Sequence, residues 1–345
     1  MTTLLVAGYK ELAGKTTICT ALSKILEANG VNANYIRISS VEDGERIQNA
    51  RLDQEFVSAA LASTPIPTNL PVIANDARLE NLKDAVSKAG QGKSAATLIE
   101  LPEALDENSL PSILAIAKEL DSKILIVAKY YQQIAGKELS ELLGAAKEQV
   151  AGMIINSVPR KVFGRISEVL GESFQEAGFN VLAIMPEDRR LYGFTIGQLA
   201  EALGGQFICH PEMADKLIEN VMLGANPADP AYTYFSPRAS KAVFCRSDRP
   251  DIQLAALDTE TRCLVLTGSG NYQQHLVYRA EDLGVAMLRV ERDTYSTVME
   301  LGKVFPKVRF RHEDKVAWAV GLLSEATDIP RLVQLVSSSS VSSSS

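Results

Sequence analysis

The sequence predicts an α/β protein: a doubly wound, mostly parallel sheet in its N-terminal part, followed by a smaller second α/β domain. Three observations carry this reading. Short apolar runs of strand length alternate with longer segments whose apolar residues recur at helical spacing. A glycine-containing turn stands between the first apolar run and the first helical segment. A second alternation begins after a stretch rich in Asn, Pro and Tyr around positions 226–230.

In chain order, strand-type runs fall at Leu4–Gly8, Ala33–Ile38, Ala96–Leu101, Lys123–Ala128, Ala151–Asn156 and Val181–Met185. Between them, Thr17–Ala28, Leu110–Leu120 and Phe163–Ala177 carry helical spacing. Apolar runs separated by helices fit parallel strands covered on both faces by crossovers. A helix running to Leu203 is expected to stop at Gly204 and Gly205. The second alternation places strands at Ala242–Cys245, Cys263–Thr267 and Val285–Val290. Its helices start near Ile252 and cover Gln274–Leu283, Thr297–Val304 and Lys315–Ser324. The expected division is therefore a first domain over 1–205, a junction over 206–237, a second domain over 238–330 and a disordered serine-rich tail over 331–345.

The chain has 345 residues, 46% of them hydrophobic and 22% charged, which suits folded domains and not a disordered polymer. A formal charge of −7 argues against a broad nucleic-acid footprint. Cys19, Cys209, Cys245 and Cys263 show no paired spacing, and His210, His275 and His312 form no metal-ligand pattern. Isolated cysteines fit reduced thiols, and no apolar run approaches the ~20 residues of a membrane helix. The expectation is a cytoplasmic protein with no membrane or nucleic-acid partner.

The strongest chemistry lies in Gly8–Thr17, GYKELAGKTT. A strand leads in and a helix leads out, the context a phosphate-binding loop demands. Gly8 and Gly14 permit a tight turn that aims backbone N–H groups at phosphate oxygens, and the helix N-terminus adds partial positive charge. In this pattern Lys15 reaches the β- and γ-phosphates and the Thr16 hydroxyl sits on Mg²⁺, with Thr17 beside it. The residues point to a nucleoside triphosphate, ATP with Mg²⁺. Five residues separate Gly8 from Gly14, where the usual motif has four.

That extra residue resembles the loop of dethiobiotin synthetase and its relatives. These include cobyrinic acid a,c-diamide synthase and the N-terminal domain of long phosphate acetyltransferases. The group has a glutamate inside the loop; Glu11 lies here, one place earlier than in dethiobiotin synthetase. Other positions are similar. Tyr35-Ile-Arg37 falls where the family ends its second strand in an aromatic and a basic residue, usually lysine. Asp53 matches an acidic residue that helps hold Mg²⁺, and Glu100 a strand-end glutamate that reaches the metal. Asn156 matches an asparagine that contacts the base, and Pro186 lies in the strand end whose loop closes over it. By this resemblance Gly8, Glu11, Gly14, Lys15, Thr16, Thr17, Arg37, Asn156 and Pro186 bind the nucleotide, and Thr16, Asp53 and Glu100 hold the metal. All lie at or just beyond strand C-termini, where open α/β sheets bind ligands.

Two departures bear on catalysis. Dethiobiotin synthetase follows its strand-end glutamate with a glycine-rich stretch, whereas Glu100 is followed by Leu101 and Pro102. Those residues hinder close backbone approach to a ligand and remove a donor. Arg37 in place of lysine keeps the charge but changes hydrogen-bond geometry.

In the second domain, Ser247-Asp-Arg-Pro250 follows a strand and opens a helix, and Thr267-Gly-Ser-Gly270 ends the next strand. These segments resemble the DRTGG domain, found in long phosphate acetyltransferases and beside CBS domains. Asp248, Arg249, Thr267 and Gly268 are the candidate ligand residues. Asp248 and Arg249 either recognise an anion or simply cap and brace the helix. The resemblance implies a regulatory protein that binds Mg-ATP and senses a small-molecule effector or dimerises, linked to acyl-phosphate or cofactor metabolism. An acyltransferase or other metabolic enzyme is an expected partner, and a homo-oligomer the expected state. The alternative is an ATP-dependent synthetase that phosphorylates a carboxylate or carbamate. Acetyl transfer by this chain alone is not expected.

Overall fold

A computed structural model describes residues 2–38, 44–61, 82–84, 86–87, 96–131, 134, 136–225, 228–304 and 308–337. The chain divides into two compact units, one of 1–188 with 310–345 and one of 189–309.

The first unit opens with β1 (Thr2–Tyr9), α1 (Lys15–Ala28), β2 (Ala33–Arg37), α2 (Gly44–Ala60) and β3 (Ala96–Ala104). It continues with α3 (Leu110–Glu119), β4 (Lys123–Lys129), α4 (Gly136–Leu143), β5 (Val150–Val158), α5 (Arg160–Glu176) and β6 (Val181–Pro186). The six strands form one parallel sheet in the order β2-β3-β1-β4-β5-β6. The chain moves from β1 towards β2 and later from β3 back across to β4, so the sheet reverses direction beside β1. Doubly wound sheets open a ligand crevice at such a reversal, beyond the strand C-termini.

The apolar runs became strands because both faces of the sheet are covered. All eight residues of β1 are buried. On α1, Ile18, Leu22, Ile25 and Leu26 are buried at helical spacing, which fixes this helix on the sheet beside the loop that precedes it. β3 runs four residues past Glu100, with a register irregularity where Val6 pairs Glu100 and Gly8 pairs Ala104. Pro102 falls inside this irregularity, where its missing N–H costs no ladder bond.

Two helices that the sequence groups elsewhere complete this unit. α11 (Glu313–Ala326) packs on α1, burying Val316, Ala319, Leu322 and Leu323. Thr327 then bridges to Ala183 of β6 and donates its hydroxyl to the Leu182 carbonyl at 2.8 Å. α12 (Ile329–Ser337) follows where a disordered tail over 331–345 is expected. Leu332 and Val336, one turn apart, are both buried, and this apolar face outweighs the serines that begin at its end. Residues 338–345 lie outside the described residues. A helix pattern shows that a face is apolar and not which sheet it will cover, so chain proximity misassigned α11.

The second unit contains β7 (Phe194–Thr195), α6 (Ile196–Leu203), β8 (Gln206–Cys209), β9 (Leu217–Ile218), β10 (Asn220–Leu223) and α7 (Ala228–Phe235). It closes with β11 (Lys241–Arg246), α8 (Pro250–Leu257), β12 (Thr261–Thr267), α9 (Gln274–Leu283), β13 (Ala286–Val290) and α10 (Thr294–Val304). Its sheet runs β10-β11-β12-β13-β8, parallel except for β8, and β7 pairs antiparallel with β9. The expected junction at 206–237 is thus built structure. Strands of two to four residues are too short to display an alternation. The helix α6 does begin and end on local signals: Thr195 and Gln198 form a capping box, and Gly204 adopts φ 61 at the C-cap.

Lys241 opens β11 with its side chain buried and its Nζ donating to the Arg238 carbonyl at 2.9 Å. Burial pushes its pKa from 10.5 down to about 8, against an opposing pull from Glu260. Between those values the unfolded chain holds a proton that the folded chain lacks, so stability due to Lys241 rises with pH across that window. Below about 8 the full penalty for the buried charge is present. The stability of wild type relative to Lys241→Met is therefore expected to improve as pH rises through the window. Denaturant unfolding of both proteins at its two ends checks this; parallel pH profiles would refute it.

Candidate functional site

The loop after β1 is shaped by backbone more than by side chains. Lys10, Leu12 and Gly14 have φ of 69°, 52° and 87°, while no residue between them has positive φ. Left-handed backbone at every second position is a feature of nests, in which successive N–H groups turn towards one concavity that attracts anions. Two of the three left-handed residues carry side chains, and such conformations cost of order 1–3 kcal/mol each where they persist. Lys10 is steadied by the rings of Tyr9 and Tyr131, with its Nζ 5.1 and 5.8 Å from their centroids. Glu11 lies exposed at the loop tip.

Gly14 then serves as the N-cap of α1. A Cβ there would meet Asn156 Nδ2 at 2.4 Å, and a Cβ on Gly8 would meet Lys15 Cδ at 3.1 Å and Nζ at 3.2 Å. The Lys15 side chain is therefore folded back over Gly8, the posture of a phosphate-loop lysine. Its Nζ lies 3.4 Å from the Pro102 carbonyl. Asn156, at the end of β5, donates to the Ala13 carbonyl at 3.0 Å, so its amide braces the loop from below. Pro186 ends the edge strand β6, where the Glu187 N–H donates to Val158 O at 2.7 Å.

Register places the acidic and basic residues. Arg37 of β2 pairs directly with Glu100 of β3, so their side chains leave the same face. Tyr35, two residues earlier, shares that face, and its hydroxyl donates to Glu100 Oε2 at 2.6 Å. Arg37 Nη1 contacts Glu100 Oε1, donates to Thr16 Oγ1 at 2.7 Å and lies 3.6 Å from Asp53 Oδ2. Thr16 in turn donates to Glu100 Oε1 at 3.0 Å. Gln54 fixes β2 against α2, accepting from the Arg37 N–H at 2.7 Å and donating to Tyr35 O at 2.8 Å. Burial opposes the Arg37 charge, but Glu100, Tyr35 and Asp53 outweigh it and hold the guanidinium protonated above the usual arginine range. The same burial, with Glu100 beside it, pushes the Tyr35 phenol well up.

A residue the sequence did not single out completes this cluster. Arg311 precedes α11 and lies with its Nε 3.1 Å from Asp53 Oδ1 and its Nη2 donating to Asn49 Oδ1 at 2.9 Å. Phe310 meets Phe56 edge to face at 6.4 Å. Asn49, Asp53 and Phe56 share one face of α2, which is the face this segment covers. No local motif marks Arg311; only the return of the chain to the first unit brings it here.

The Mg²⁺ assignment to Thr16, Asp53 and Glu100 does not fit this arrangement. The ion needs near-octahedral oxygen coordination at about 2.0–2.1 Å. Here the oxygens of all three residues surround a guanidinium nitrogen. The remaining oxygens of the two carboxylates face Tyr35 and Arg311. Among the described residues, no group of three or more His, Cys, Asp and Glu side chains is placed to hold a metal. Nor is any helix among them long and apolar enough to cross a membrane.

In the second unit, Arg246 pairs Thr267 in register, which sets the ends of β11 and β12 side by side. A Cβ on Gly270 would meet Ser247 Oγ at 2.7 Å, so the two turns are closely packed. Asp248 is bound by Arg246, with Nε donating to Oδ1 at 2.8 Å, and Arg249 donates to Asp251 at 2.9 and 2.6 Å. Both pairs are exposed, and no side chain caps α8. Thr267 is buried, its hydroxyl shared with Thr294 at 2.6 Å. Gly268 takes φ 87°, with its N–H donating to Val290 O at 3.0 Å and Arg292 O at 2.8 Å.

Comparison with protein families matches residues 198–304 to the DRTGG domain and residues 2–193 to an AAA domain. Among solved structures, the CBS and DRTGG domains of the regulatory region of Clostridium perfringens pyrophosphatase, complexed with the activator diadenosine tetraphosphate, are 13% identical. That match covers 34% of this chain and 48% of that chain at a TM-score of 0.30, so this chain spans about half the length of that structure. The MinC:MinD cell division protein complex of Aquifex aeolicus is 14% identical over 55% of this chain and 83% of that one, TM-score 0.38. Cell division protein FtsY of Thermotoga maritima is 17% identical over 54% and 61%, TM-score 0.36. With more than half of its length matched, the protein belongs to the P-loop-type AAA domain family that includes dethiobiotin synthetase, and it carries a DRTGG domain C-terminal to that domain.

Proposed function

We propose that this chain is a nucleotide-binding regulatory protein. Its P-loop domain holds the phosphates of ATP, and its DRTGG domain senses a small-molecule effector or mediates self-association. The observation that supports this most is the left-handed backbone at every second position of Lys10–Gly14 with Lys15 folded over Gly8, a loop of the kind that cradles anions. The synthetase reading is less well supported. β3 continues to Ala104, and the Pro102 carbonyl faces Lys15 where that chemistry calls for N–H donors. A link to acyl-phosphate or cofactor metabolism belongs to the same proposal, as does an acyltransferase partner.

Calorimetric titration of the full chain with ATP tests the proposal. Lys15→Ala is expected to weaken binding about 10–100-fold, the loss of one charge-assisted contact worth about 1.5–3 kcal/mol. Equal affinity in the variant would sink the nucleotide reading. ADP release that depends on an added carboxylate would favour the synthetase instead.

A further inference from the structure

The three residues that the phosphate-loop pattern and the family resemblance assign to a divalent cation are all turned towards one nitrogen, Arg37 Nη1. It contacts Glu100 Oε1, lies 2.7 Å from Thr16 Oγ1 and lies 3.6 Å from Asp53 Oδ2. The outer carboxylate oxygens are also engaged, Glu100 Oε2 by Tyr35 at 2.6 Å and Asp53 Oδ1 by Arg311 at 3.1 Å. The charges of this cluster already balance: Glu100 and Asp53 contribute −2, Arg37 and Arg311 contribute +2. In the nucleotide-free chain, a divalent ion added among them would leave an excess of +2 beside a guanidinium, an arrangement that partly buried surroundings penalise. Arg37 Nε is buried without a hydrogen-bond partner in the protein, so this donor is not spent on the cluster.

We infer that the Arg37 guanidinium takes the place of the divalent cation in this site, so that the chain binds nucleotide in its metal-free form. This rests on the nucleotide reading above. The guanidinium supplies a fixed positive charge and planar donors to phosphate oxygens, as arginine does elsewhere in phosphate recognition. Thr16, which would otherwise be a metal ligand, becomes a positioning residue between Arg37 and Glu100.

The experiment is a pair of ATP titrations of the full chain, one with EDTA and one with excess Mg²⁺, together with Mn²⁺ titration of the nucleotide-free chain followed by electron paramagnetic resonance. Expected are dissociation constants within about threefold of one another and no bound Mn²⁺. Binding about tenfold or more tighter with Mg²⁺, or one Mn²⁺ held by the wild-type chain, would overturn the inference. Arg37→Ala is expected to restore the usual behaviour, with ATP affinity rising about tenfold on adding Mg²⁺. Should that variant fail to fold, the wild-type titrations decide alone. Absence of ATP binding in either buffer would refute the nucleotide reading, whereas Mn²⁺ binding would refute only the role given to Arg37.

Discussion

Glu100→Ala is expected to destabilise the first unit by about 3–5 kcal/mol, the usual loss when one member of a buried ion pair is removed. Glu100 is 1% exposed and receives Tyr35, Thr16 and Arg37. Its removal leaves the half-buried Arg37 guanidinium with Asp53, at 3.6 Å, as the carboxylate still beside it. Tyr35 keeps a buried hydroxyl without its acceptor, at a further cost of about 1–3 kcal/mol where no water replaces it. Glu100→Gln preserves the shape and one acceptor oxygen and is expected to lose markedly less. Denaturant unfolding followed by a probe in the first unit measures both. A Glu100→Ala midpoint that implies less than about 1 kcal/mol would mean that Arg37 finds another partner.

Gly14→Ala carries the second large effect. At φ 87° any side chain is strained by roughly 1–2 kcal/mol. The new Cβ would also lie 2.4 Å from Asn156 Nδ2, so the amide must leave the Ala13 carbonyl, at a further cost of about 1 kcal/mol. Gly30 provides the control. It has φ 79° with nothing within 4 Å of its would-be Cβ, so Gly30→Ala reports backbone strain alone. The expected order is Gly14→Ala well below Gly30→Ala in thermal stability, with ATP binding impaired only in the former. Equal losses in the two variants would show that the Asn156 brace contributes nothing.

Much of the first unit can be read directly from local pattern. Leu4–Gly8, Lys123–Ala128 and Val181–Met185 are strands in the structure within one or two residues, because both-face burial makes such runs continuously apolar. The loop is equally visible, since glycine, lysine and threonine serve phosphate binding through backbone and charge at fixed offsets. What local pattern obscured was partnership. Asp53 and Glu100 read as metal ligands while Arg37 read as a nucleotide contact, and only the register of β2 against β3 shows the three converging. Asn156 read as a base contact, yet its amide meets the Ala13 carbonyl.

The chain's own residues determined the strand and helix rhythm, the phosphate loop and the succession of two α/β units, because each depends on neighbours within about a dozen positions. Tertiary structure decided the rest. It drew Arg311 and the helices after it back to the first unit, made short strands of an apparent junction, and brought Arg37 against the residues expected to hold a metal. Those outcomes depend on which apolar face finds which sheet and on how opposite charges balance once water is excluded, and neither is written in local spacing.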